Sequence, residues 1–140
     1  MHTITRWYVK TSFVYLVAAL LLALLLALAQ VVTLPRLLAA AGPVFFHLFL
    51  VGWVTQLIMG IVFWLFPKAS RERPRGREDL AVFAYVTLNL GLILRVVAEP
   101  VVTVVTATAP WQWALVISAL LQWLAGLAFV VNSWGRVKER

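Results

Sequence analysis

The chain has 140 residues, of which 64% are hydrophobic and 12% charged; that excludes an ordinary soluble domain, in which roughly a quarter of residues are charged, and excludes disorder, which needs low hydrophobicity and high charge. The sequence has no cysteine, which excludes disulfides, thiolate metal sites, iron–sulfur clusters and covalently attached c-type heme. The net charge of +7 sits beside apolar spans, where a membrane accounts for it better than nucleic acid does.

Four apolar stretches are long enough to cross a hydrocarbon layer of about 30 Å, which takes roughly 20 helical residues. They cover about 11–34, 44–66, 80–98 and 111–134. The first is too long for the apolar core of a signal peptide and lacks a small-x-small cleavage site, so it reads as a span. Pro35, Pro43, Pro67, Pro100 and Pro110 fall in the connections, where proline breaks no helical hydrogen bond. The expected fold is all-α: one domain over 1–140, an up-down bundle of four membrane helices, packed left-handed like most such bundles. The connection from Pro100 to Pro110 is apolar and rich in Thr and Val, and either lies in the interface or extends along the membrane surface.

Orientation follows from Lys and Arg. Arg6 and Lys10 precede the first span; Lys68, Arg71, Arg73, Arg75 and Arg77 lie between the second and third; Arg136, Lys138 and Arg140 follow the fourth. The other side has only Arg36 and Arg95. The positive-inside rule then puts both termini in the cytoplasm. The composition, rich in Leu, Ala, Val and Arg, points to a GC-rich bacterium and so to the bacterial inner membrane. The basic loop is read as a topology determinant, with anionic-lipid or partner binding as the competing use. Trp7, Tyr8, Trp64, Trp111, Trp113 and Trp134 read as an aromatic belt, with Trp53 and Trp123 deeper.

Ionisable groups inside the spans cost about 2.5–3.5 kcal/mol each on insertion scales, so each of the few present matters. His47 lies near the outer start of the second span. Arg95 and Glu99 lie near the outer end of the third, four residues apart and hence on one helix face. Arg36 lies in the short outer connection. All four converge on one level. A potential iron ligand beside two guanidiniums suits a heme whose ring lies in the apolar layer and whose propionates meet Arg36 and Arg95 at the rim. The competing reading is an Arg95–Glu99 pair that merely neutralises itself, Arg95 snorkelling, beside a satisfied interfacial histidine.

On the second span Gly52, Gln56 and Gly60 recur every four residues, a spacing that lets another helix approach and lets Gln56 bond across. Ala84, Leu88, Gly91 and Arg95 form a comparable stripe on the third. At 3.6 residues per turn His47 faces away from Gln56, along an apolar stripe with Leu50, Val51, Val54, Ile58, Ile61 and Leu65.

The stretch 46–67, FHLFLVGWVTQLIMGIVFWLFP, resembles the second helix of subunit I in the heme-copper oxidase and nitric oxide reductase superfamily. There a histidine near the outer end of that helix binds the low-spin heme. The stretch 89–100, NLGLILRVVAEP, is similar to the third helix of small relatives. The resemblance implies His47 as a heme ligand and Arg95 as a propionate partner. It stops there: subunit I has many more helices and several further histidines, so neither a copper site nor an oxygen-reducing site can be built from this chain. His2, at the cytoplasmic end, is about 30 Å from His47 by membrane thickness. A second axial ligand then comes from His47 of a two-fold mate, the commonest closed assembly, or from another partner in a larger membrane complex, or the iron stays five-coordinate.

The expected function is a membrane protein that binds heme b non-covalently and passes electrons, with no catalytic centre of its own. His47 would ligate iron, Arg95 and Arg36 would hold propionates, and Glu99 would orient Arg95. The alternative is a cofactor-free accessory subunit of a respiratory or photosynthetic complex. Transport is weaker, since neither inverted repeats nor broken helices are visible. Hydrolytic chemistry lacks a paired carboxylate or a phosphate loop, and Ser118 has no base beside it in sequence.

Overall fold

A computed structural model describes residues 2–66, 77–105 and 108–137. Lys68, Arg71, Arg73, Arg75, Lys138 and Arg140 lie outside the described residues. Those that are described are helical, with no strand among them. Four spans are long and apolar enough to cross a membrane. The first is helix α1 (Thr3–Leu28). The short helix α2 (Arg36–Ala39) follows it. The second span is composite: α3 (Gly42–Phe46), a π-helix π1 (His47–Thr55), then α4 (Gln56–Leu65). The third and fourth are α5 (Glu78–Val104) and α6 (Ala109–Trp134).

The spans alternate in direction. The Tyr8 hydroxyl donates to the Ala81 carbonyl at 2.9 Å, and the Arg77 backbone N–H donates to Asn132 Oδ1 at 2.9 Å. Arg136 Nη2 donates to the Phe63 and Phe66 carbonyls at 3.1 and 2.8 Å. The start of α1, the end of α4, the start of α5 and the end of α6 therefore share one end of the bundle, the terminal end. His47, Glu99 and α2 lie at the far end. α1 packs along π1 and α4, and α5 packs along α6. One core cluster, with Tyr8, Met59, Phe63 and Leu88, fills the terminal half; another, with Leu22, Val44, Leu48 and Leu92, fills the far half.

Several boundaries differ from the sequence reading. α1 starts at Thr3 and stops at Leu28 instead of covering 11–34. Helical hydrogen bonding extends beyond the apolar layer at its start, where hydropathy no longer marks it. α5 runs through Pro100 to Val104 instead of ending at 98. Proline is tolerated inside membrane helices; Pro100 removes one donor from the ladder, the one that would bond the Val96 carbonyl, and the helix continues through it to Val104. Tyr8 is not a belt residue: it is 2% exposed and packed against Gly60. Arg136, which follows the fourth span, is 1% exposed. Its guanidinium covers carbonyls that a helix C-terminus leaves without intrahelical partners, at the negative end of the dipole.

The π-helix explains the four-residue repeat. Val44, Leu48, Gly52, Gln56 and Gly60 are all buried. In an α-helix four residues overshoot one turn by about 40°, so this stripe would wind round to the lipid. With i→i+5 bonding a turn holds roughly 4.4 residues and four residues fall short by about 30°. The two drifts offset each other and the stripe stays inward. At Gly52 an added Cβ would stand 2.7 Å from Tyr15 Cγ, and at Gly60 2.6 Å from Tyr8 Cβ. The glycines thus let α1 approach, as their spacing suggested. Gln56 does not bond across: it is fully buried, yet neither amide atom has a hydrogen-bond partner.

Candidate functional site

His47 is the first residue of π1, one turn after Pro43. The wider turn brings it round from the lipid-facing stripe of Leu50 and Ile58 toward α5, correcting the face assigned from α-helical spacing. Its Nδ1 lies 3.0 Å from the Pro43 carbonyl. A carbonyl only accepts, so Nδ1 carries the hydrogen and donates it. In the neutral ring Nε2 then keeps its lone pair. Histidine ligands are commonly oriented this way, by a carbonyl or carboxylate on the nitrogen that does not bind metal.

Glu99 lies between two cationic or potentially cationic groups. Its Oε2 is 3.3 Å from His47 Nδ1, and its Oε1 accepts from Arg95 Nη1 at 3.4 Å. The first contact is electrostatic: the Nδ1–H is directed at Pro43, and Oε2 itself is buried without a hydrogen bond. The side chains of His47, Glu99 and Arg95 are 27%, 15% and 18% exposed. With His47 neutral the group carries no net charge. That offsets much of the cost of placing ions at membrane depth.

The network continues into α6. Arg95 Nε donates to Ser118 Oγ at 3.3 Å, Gln122 Nε2 donates to the same oxygen at 3.1 Å, and Ser118 Oγ donates to the Gly91 carbonyl at 2.7 Å. Ser118 is fully buried. Gly91 makes the approach possible, since a Cβ there would lie 2.9 Å from the Ser118 carbonyl oxygen. Sequence reasoning missed the part played by Ser118 and Gln122. The available signal was their spacing of four on an otherwise apolar helix, opposite a glycine.

The structure joins three of the four sequence-derived site residues. Arg36, on α2, is exposed and forms no ion pair among the described residues. His2 is at the terminal end, where Nε2 lies 3.1 Å from Glu78 Oε1. Trp123 is 62% exposed. A second polar ladder links α1 to α5: Thr11 Oγ1 and the Tyr85 hydroxyl are 2.7 Å apart, and the Tyr15 hydroxyl donates to Asn89 Oδ1 at 2.8 Å.

Among the described residues no three His, Cys, Asp or Glu side chains gather as a metal site. A bare ion would find too few donors. A porphyrin brings four nitrogens of its own and needs only an axial donor, which the His47 ring can supply. No protein family, curated protein or solved structure matches the chain.

Proposed function

We propose that this is an integral membrane protein that binds heme b non-covalently at His47 and passes electrons. The observation that carries the reading is the hydrogen bond that fixes Nδ1 on the Pro43 carbonyl, which leaves Nε2 as the ring's donor to iron. Phe46, next to it in the chain, is 60% exposed, an apolar ring against which a macrocycle can lie. Arg95 is the nearest cation for a propionate. Arg36, on α2 at the same end, is not joined to this group among the described residues, and the propionate role rests on Arg95. Heme would supply a one-electron couple, and the chain would hold, orient and desolvate it.

The resemblance to the second helix of heme-copper oxidase subunit I supports the same ligand. A two-fold mate contributing a second His47 completes six-coordination, since His2 lies at the other end of the bundle. The Lys and Arg distribution supports an orientation with both termini cytoplasmic and His47 toward the outer face, and the Leu, Ala, Val and Arg content supports a bacterial inner membrane. Visible spectra of detergent-purified protein, oxidised and dithionite-reduced, test the proposal. A sharp reduced α-band with a shifted Soret band establishes low-spin heme b and a second ligand from another chain. A broad high-spin spectrum means five-coordination. Protein that stays colourless when expressed with added heme ends this reading.

One observation favours the alternative, a cofactor-free accessory subunit. Arg95 is already engaged by Glu99 and Ser118, so the network is closed without a propionate. Colourless protein that purifies stably only with larger subunits would support it.

A further inference from the structure

A groove of about 490 Å³ opens at the far end, beneath α2. Every residue lining it is apolar: Leu22 of α1, Leu38 of α2, Val44 and Leu48 of the second span, and Val97 and Val101 of α5 are among them. It contains no histidine and no hydrogen-bonding side chain, so neither a heme nor the head of a quinone finds a ligand there. Its chemistry is that of a hydrocarbon chain. Its size is in the usual range for a small-molecule site, about 300–1,000 Å³.

The cation beside it identifies the rest of the molecule. Arg36 sits between Pro35 and Leu37, both lining residues. It is the only Lys or Arg between Lys10 and Lys68. It is exposed and unpaired among the described residues, whereas Arg95 at the same end is engaged by Glu99. A guanidinium suits a phosphodiester, to which it can donate two parallel hydrogen bonds. An exposed arginine flanked in the chain by two lining residues of an apolar groove, at the level where the spans end, is the arrangement of one phospholipid seen from the protein side.

We propose that this groove holds an acyl chain of an anionic phospholipid, with Arg36 binding its phosphate. The site is distinct from the His47 group and does not depend on heme. It also gives α2 a role: the short helix lays Leu38 across the chain and carries the cation that selects the headgroup.

The test uses the full-length protein reconstituted with phosphatidylglycerol or phosphatidylcholine, then solubilised and weighed by native mass spectrometry. The wild type is expected to retain one phosphatidylglycerol at least five-fold more often than phosphatidylcholine. Arg36→Gln is expected to abolish that preference while still retaining some lipid. Leu37→Trp, at a 48% exposed lining position, is expected to reduce retention of both lipids; circular dichroism and gel filtration confirm that each variant is folded. Equal retention of the two lipids by the wild type overturns the proposal, as an annular lipid would behave that way. So does an unchanged preference in Arg36→Gln, or tighter retention of a neutral isoprenoid quinone.

Discussion

His47 Nδ1 and Glu99 Oε2 lie 3.3 Å apart, across the junction between the second and third spans. The carboxylate is therefore not only the i, i+4 partner of Arg95. It faces a second element, and the same network reaches α6 through Ser118. Three spans are tied together by polar groups at one level. In a bilayer this matters because lipid tails are as apolar as leucine, so helix association rests on packing and interhelical hydrogen bonds.

Removing the charge of Glu99 tests this tie. Glu99→Gln leaves Arg95 as a partly buried cation without its carboxylate. Breaking one side of a buried pair costs about 3–5 kcal/mol; the side chains here keep some exposure, so a loss of about 1–2 kcal/mol is expected after solvent screening. The double variant Arg95→Leu/Glu99→Leu removes both charges and should recover part of the loss. Thermal unfolding in detergent measures all of them. A double variant that is less stable than Glu99→Gln would show that the charges contribute more than each other's neutralisation.

His47→Ala is expected to abolish heme binding while leaving the helices intact. His2→Ala is expected to leave heme binding unchanged, since His2 pairs with Glu78 at the other end. The readouts are the Soret and reduced α-bands against far-ultraviolet circular dichroism. Retention of full heme content by His47→Ala would remove the assigned ligand. In the symmetric dimer the wild type carries one heme for two chains, which a pyridine hemochrome assay against protein concentration determines.

The glycines divide into two kinds, and substitution to alanine should separate them. At Gly52 and Gly60 the new Cβ would collide with ring or Cβ atoms of Tyr15 and Tyr8 at 2.7 and 2.6 Å. Overpacking of this sort costs typically about 1–3 kcal/mol. At Gly126, inside α6, nothing lies within 4 Å of the new Cβ. Alanine there should be neutral or stabilise by about 0.5–1 kcal/mol through helix propensity. A loss at Gly126 equal to that at Gly60 would contradict the packing described.

The parts of this fold that were legible in the sequence depend on long averages. Hydropathy over some 20 residues finds the four spans, and depth along each span already places His47, Arg95 and Glu99 at one level. What was not legible depends on rotation about a helix axis. The face of His47 was misassigned because 3.6 residues per turn fails across π1. Ser118 and Gln122 join the site only because Gly91 allows α6 to close on α5. Tyr8 and Arg136 have the composition of an interface yet are buried, Tyr8 beside Gly60 and Arg136 over the last carbonyls of α4. Each of these outcomes is set by a neighbouring helix, which one sequence segment does not contain.

Gln56 offers the last test. It is fully buried between Gly52 and Gly60 on the face that meets α1, and neither its amide nitrogen nor its oxygen is bonded. A buried polar group without a partner costs about 1–3 kcal/mol. The antiparallel pairing of Gly60 with Tyr8 and Gly52 with Tyr15 puts Gln56 opposite Thr11 and Ser12 in the first half of α1, where Ser12 already donates its hydroxyl hydrogen to the Val9 carbonyl at 2.8 Å. Gln56→Met keeps the length and much of the shape of the side chain and removes both unpaired groups. It is expected to raise the midpoint of thermal unfolding, by an amount equivalent to about 1 kcal/mol. Heme content should be unchanged, since the His47 network does not include Gln56. A lower midpoint would mean that the amide is bonded in the membrane, to water or to another chain, and that the centre of the α1 interface is wetter than its packing indicates.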